Sequence, residues 1–149
     1  MVSNYLIGVF TMKHYKHSFE ELAQAGRRHY NDSGFCTVIA LAVACDISFG
    51  KAYHTYKRLG RKDRRGTYED MQFKALAKFK KKAVFDRDKT AMFRDKTVNQ
   101  LLKHTADWKG RYWVYIRGHV IAIRDGVCED WTAIERACKR KVLNVYKIK

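Results

Sequence analysis

Between Thr37 and Ala44 the chain reads Thr-Val-Ile-Ala-Leu-Ala-Val-Ala, with no Gly or Pro. A helix built from this run is apolar on every side, so it belongs inside a core and the rest of the chain must supply the surfaces that cover it. The preceding residues, Asn31 to Phe35, hold two N-cap types, Asp32 and Ser33. Either cap places Cys36 in the first helical turn, where free N–H groups and the positive end of the helix dipole favour a thiolate. Taken alone, Cys36 reads first as one more small core residue, since unpaired cysteine is among the most buried types.

A chain of 149 residues fits one domain, 1–149, and is long enough to bury a proper core. With 46% apolar residues, no Pro and no Gly/Ser run, it is neither a disordered chain nor a linker. The apolar helix is far shorter than the ~20 residues of a membrane span, and no leader-type segment opens the sequence, so no membrane association is expected. Cys36, Cys45, Cys128 and Cys138 form no CxxC pair, which points to a reduced, cytoplasmic setting without a zinc knuckle or a redox motif. No spacing of the six histidines suits a metal, and no cofactor is expected. The net charge of +16 attracts polyanions over long range.

Taken in order, residues 1–17 carry one apolar run, Tyr5–Phe10, and read as a strand or an N-terminal arm. Ser18-Phe-Glu-Glu21 has capping-box spacing for a helix to about Gly26. Ser48 opens a helix with Phe49, Ala52, Tyr53, Tyr56 and Leu59 on one face, closed by Gly60 and forming a hairpin with the Cys36 helix. Arg61–Arg65 reads as an exposed basic loop, followed by a helix capped at Thr67 that ends in Lys80–Lys82. Val84–Phe85 suggests a brief strand, Asp86–Lys96 an irregular connection, and Thr97 caps a short helix through Lys103. Thereafter the pattern is β: Arg111–Arg117, His119–Arg124, an Asp125-Gly126 hairpin turn into Val127–Trp131, a helical turn over Ala133–Cys138, and a last strand Val142–Ile148. Helices first and an antiparallel sheet last define an α+β fold, with the buried helix packed on the C-terminal sheet.

A two-residue turn puts Arg124 opposite Val127, Ile121 opposite Asp130, and His119 on the face shared by Ile121 and Asp130. His119 and Asp130 are then diagonal neighbours, while Glu129 points the other way. A bulged turn reverses that parity and brings Glu129 to His119. A cysteine at a helix N-terminus, an imidazole and an orienting carboxylate are the parts of a thiol nucleophile system, here Cys36, His119 and Asp130 in chain order.

That order resembles the papain-like cysteine peptidases. The stretches Asn31–Ala44, Gly60–Thr67 and Gly110–Trp131 also resemble a largely uncharacterised family of small phage and bacterial proteins with a papain-like fold. That family commonly reads Asn-Asp-Cys, whereas here Ser33, Gly34 and Phe35 stand between Asp32 and Cys36. Papain-like enzymes carry an upstream Gln as oxyanion donor; here Asn31 is the nearest amide and takes that place with the Cys36 N–H. The resemblance implies a cysteine hydrolase acting on a peptide or isopeptide bond of a protein substrate, in the host cytoplasm for a phage protein. A transferase using the same acyl-enzyme is equally compatible. The rival expectation is a non-enzymatic basic module for nucleic acid or an acidic host protein. It would use Lys57, Arg58, Arg61, Lys62, Arg64 and Arg65, with Lys78–Lys82 beside them.

Overall fold

The structure is a computed structural model that describes residues 15–28, 35–63, 65, 67–130 and 139–149. Outside those residues lie Asn31, the caps Asp32 and Ser33, Arg64, the Tyr5–Phe10 run and the expected turn over Ala133–Cys138. Among the described residues six helices and five strands follow in the order α1 (Phe19–Arg28), α2 (Cys36–Cys45), α3 (Phe49–Arg58), α4 (Glu69–Ala77), β1 (Ala83–Phe85), α5 (Arg87–Phe93), α6 (Val98–Leu102), β2 (Arg111–Ile116), β3 (His119–Arg124), β4 (Val127–Cys128) and β5 (Val142–Ile148). The strands pair antiparallel in one open sheet of order β1-β5-β2-β3-β4. The fold is therefore α+β. Among the described residues no single helix is long and apolar enough to cross a membrane.

The apolar run behaves as its composition demands. In α2, Val38 to Ala44 are each at most 2% exposed, covered by α1, α3, α4, β2 and β3. Trp113 on β2 donates its indole N–H to the Ala40 carbonyl at 3.0 Å, tying the middle of the helix to the middle of the sheet. The helix stops at Asp46, which adopts a left-handed φ of 55° and is held by the Arg111 guanidinium at 2.7 and 2.8 Å. That ion pair offsets the strain of a non-glycine residue in this region. The N-cap is Phe35, with no side-chain cap, and not Asp32 or Ser33. Phe35 is buried edge-on against Phe49, so apolar anchorage of the entry residue, and not a hydroxyl or carboxylate, sets where the helix begins. Between α2 and α3 the axis turns by 114°, which makes a corner and not a tight hairpin.

Side chains alternate along the strands. Trp113, Tyr115, Val120 and Ala122 pack in the α2 layer, while Tyr112, Val114, Ile121 and Ile123 pack with Phe93, Val98, Leu101 and Trp108 in a second layer. This second layer contains a helix where an irregular connection was expected over Asp86–Lys96. Asp86 caps α5 by accepting from Lys89 N at 2.9 Å, and Thr90 exchanges hydrogen bonds with the Val145 backbone on β5. A single buried aromatic, Phe93, and a threonine that bonds a strand leave no apolar periodicity to read.

Ser18, Ser48 and Thr97 cap helices as their spacing indicates, Thr97 with Gln100 in a reciprocal capping box. Thr67 does not: α4 starts one residue later, after Tyr68. The helix also ends at Ala77, before the lysine run.

The closed packing of α2 has a measurable consequence. Leu41→Ala should cost about 2–5 kcal/mol in urea unfolding, the usual penalty for a cavity in a rigid core. A loss within about 0.5 kcal/mol, the scale of a surface change, would contradict burial on all sides.

Candidate active site

The loop Asp125-Gly126 determines which carboxylate reaches His119. Asp125 and Gly126 have φ of 48° and 85°, a two-residue turn with both centres left-handed, and Arg124 pairs with Val127 and Ile123 with Cys128. A side chain at Gly126 would put its Cβ 2.7 Å from the Ala106 carbonyl oxygen, so glycine is required by close approach as well as by φ. The β4 ladder is shorter than Val127–Trp131, but Glu129 N still donates to Ala122 O at 2.8 Å and carries the register onward. The turn is unbulged, and Asp130 is the carboxylate beside His119.

The His119 Nε2 lies 3.1 and 3.0 Å from the two carboxylate oxygens of Asp130, which is buried. With Nε2 turned to Asp130, Nδ1 is the nitrogen left for Cys36. Burial opposes a charge on His119, but hydrogen bonds to Asp130 and to Cys36, and the charges of both, outweigh it and raise its pKa to about 10. The imidazole is thus held as imidazolium at neutral pH, a proton donor placed between thiol and carboxylate. Cys36 is the first residue of α2, ahead of the first helical hydrogen bond, which runs from Ile39 N to Phe35 O. The N–H groups of Cys36 and Thr37 therefore precede the helical ladder, as an oxyanion site at a helix N-terminus requires.

Cys36 and His119 line one cleft of about 780 Å³. Its floor includes Gln72 and Tyr115, neither singled out by the sequence. The Gln72 amide is held at both ends, donating to Thr67 O at 2.9 Å and accepting from the Tyr115 hydroxyl at 2.5 Å, which fixes it as part of the cleft wall. Tyr68, 85% exposed, and Leu143 stand on the rim. Nothing in the spacing of residues 67–72 announces this cleft, because it exists only where α4 meets the end of the sheet.

Glu129 has a task of its own. It is buried and accepts from Arg124 Nη2 at 3.1 Å, and the Arg124 guanidinium also stacks 3.8 Å from the Tyr15 ring centroid. Burial raises the Glu129 pKa while Arg124 opposes the rise.

The basic stretch is divided. Arg61 is buried, its Nε donating to Arg65 O at 2.9 Å, and so does not belong to a contact surface. A side chain that pins its own loop replaces solvent as its partner. Lys57 pairs with Asp63 at 3.1 Å, and Arg58 is exposed beside a separate groove that includes Lys78. Lys62 and Arg65 line the Cys36 cleft. Among the described residues no group of three or more His, Cys, Asp or Glu side chains is arranged to hold a metal. No protein-family profile, curated protein or solved structure matches this chain.

Two predictions follow from this geometry. Asp130→Asn should keep the fold and slow alkylation of Cys36 by iodoacetamide roughly tenfold, the equivalent of about 1.4 kcal/mol of lost charge stabilisation. Glu129→Gln should leave that rate alone and destabilise the fold by on the order of 1.5–3 kcal/mol, because Arg124 loses a charged partner. The reverse pattern would refute the register.

The second concerns pH. His119 has a folded pKa above its ordinary 6.5, so its stabilisation is fully present below about pH 6.5 and is lost as pH rises towards 10. The stability difference between the native chain and His119→Gln, from urea unfolding, should shrink across that interval. A gap that widens with pH would show that His119 is held neutral.

Proposed function

We propose that this chain is a papain-like cysteine hydrolase that cleaves a peptide or isopeptide bond, with Cys36 as nucleophile, His119 as proton carrier and Asp130 as the residue that orients His119. The observation that carries the reading is His119 between a buried carboxylate at 3.0 Å and the thiol at the N-terminus of α2, with Cys36 and His119 opening on one cleft and Asp130 behind them. The packing of that helix on an antiparallel sheet is what supports a papain-like scaffold.

In the first half-reaction the Cys36 thiolate attacks the carbonyl carbon and the S–C bond forms. The oxyanion is taken by N–H groups at the start of α2, with Asn31 as a further donor, and the leaving amine departs with the proton from His119. Water then attacks the thioester, giving its proton to His119, and the acid is released with regeneration of the thiol. An amine in place of water makes the same site a transferase. A reduced thiol requires a reducing compartment such as the cytoplasm, the host's for a phage protein.

The basic-module reading is favoured by one observation. Lys62 and Arg65 are exposed and in no ion pair among the described residues. On that reading binding to nucleic acid falls steeply with salt and is indifferent to Cys36→Ala.

The deciding experiment is intact-mass labelling with a peptidyl acyloxymethyl ketone. The thiolate displaces the carboxylate, an S–C bond forming as the C–O bond breaks, so the adduct reports a nucleophile that accepts peptide. Cys36 should be alkylated at least about tenfold faster than Cys45, whose thiol burial pushes up to about 12. His119→Ala should abolish the difference. Equal rates at the two cysteines would overturn the hydrolase reading.

A further inference from the structure

The cleft that holds Cys36 has an uneven lining. Lys62, Arg65 and Arg117 bring three cations to it, and Glu69 is the one carboxylate among its lining residues. None of the three cations is in an ion pair among the described residues, whereas Lys57, Arg111 and Arg124, outside the cleft, are each held by a carboxylate.

Among the described residues, the neighbours of Lys62 and Arg65 are anchored. Arg61 turns inward, with its N–H on Tyr56 O at 2.9 Å and its Nε on Arg65 O at 2.9 Å. Asp63 takes the Tyr53 hydroxyl at 2.5 Å and Lys57 at 3.1 Å, and Arg65 N donates to Lys62 O at 3.3 Å. Residues 61 and 63 thus anchor the loop and residues 62 and 65 are left to face the cleft. Two cations carried on an anchored backbone pay less ordering entropy on binding than two on a free loop. Glu69 is the one carboxylate of the lining and, among the described residues, is in no ion pair with either cation, and the acceptor of Gln72 on the floor is already taken by Tyr115.

We propose that this cleft selects a peptide carrying an acidic side chain close to the scissile bond, recognised by Lys62 and Arg65, with Tyr68 and Leu143 as the apolar rim for its neighbours. The proposal rests on the hydrolase reading and gives that site its substrate class. Charge-assisted hydrogen bonds from both cations hold the carboxylate, and the +16 charge of the chain speeds the encounter.

The test uses the full chain and a set of tripeptidyl acyloxymethyl ketones that differ at one position in Asp, Asn or Lys, scanned through each position. The second-order rate of Cys36 alkylation is read by intact mass. At one position the Asp probe should outrun the Asn probe roughly tenfold and the Lys probe by more, and added salt should shrink the preference. Lys62→Gln with Arg65→Gln should level the three rates, and the double change to Glu should favour the Lys probe; both positions are exposed, and a thermal melt verifies that each variant is folded. Equal rates for all probes, with Cys36 still far faster than Cys45, would overturn the acidic subsite and leave the hydrolase standing. Cys36 no faster than Cys45 with any probe would overturn both. An oligonucleotide that protects Cys36 better than an acidic peptide does would assign the two cations to nucleic acid and overturn the proposal.

Discussion

The hydrogen bond from Trp113 to the Ala40 carbonyl, in the middle of a helix that is apolar but for Thr37, fixes how the two layers of the molecule meet. A helix with no polar side cannot choose its orientation by amphipathicity, because no face of it prefers water. Directional contacts must choose instead. Trp113 supplies one at the centre and Arg111 another at the C-terminal end, through Asp46 and, at 3.4 Å, the Val43 carbonyl. With those two points held, the N-terminus has one place to go, and Cys36 arrives at the end of the sheet where β3 begins with His119.

Two carboxylates follow one another in the chain and serve different ends because strand alternation separates them. Glu129 meets Arg124, whose position in β3 shares the parity of Val120 and Ala122 in the α2 layer; Asp130 meets His119. The first pair is buried and mutually neutralising, a structural tie. In the second the imidazole is half-buried, and its charge is kept by the carboxylate on one side and the thiol on the other. The two-residue turn that sets this parity is itself fixed by Gly126, pressed against the Thr105 and Ala106 carbonyls. Backbone crowding at a remote loop thereby decides which acid reaches the candidate site.

The cationic loop shows the same division of labour within five residues. Arg61 folds inward to hold the backbone and Asp63 gathers Tyr53 and Lys57, which leaves Lys62 and Arg65 beside the cleft. A dense run of like charge is stable here because its members do not share one environment. The anchoring residues relieve the repulsion, and the remaining charge is concentrated where a ligand enters.

By itself the sequence determined a good part of this. The apolar run Val38–Ala44 dictated a buried helix, serine and threonine caps placed three helix starts, and an Asp-Gly turn with period-two alternation set the register that pairs His119 with Asp130. These are local rules, with periods and spacings that any neighbour must respect. Other features have no local signature. That Phe35 and not a polar residue starts α2, that α5 docks through a threonine shared with β5, and that Gln72 and Tyr115 floor the cleft were settled by contacts between residues 14 to 55 positions apart. The inward turn of Arg61 belongs with them, since a charge run reads as solvated until the packing of α3 shows which member it encloses. Burial and long-range hydrogen bonds are properties of the assembled layers, and only the tertiary structure decided them.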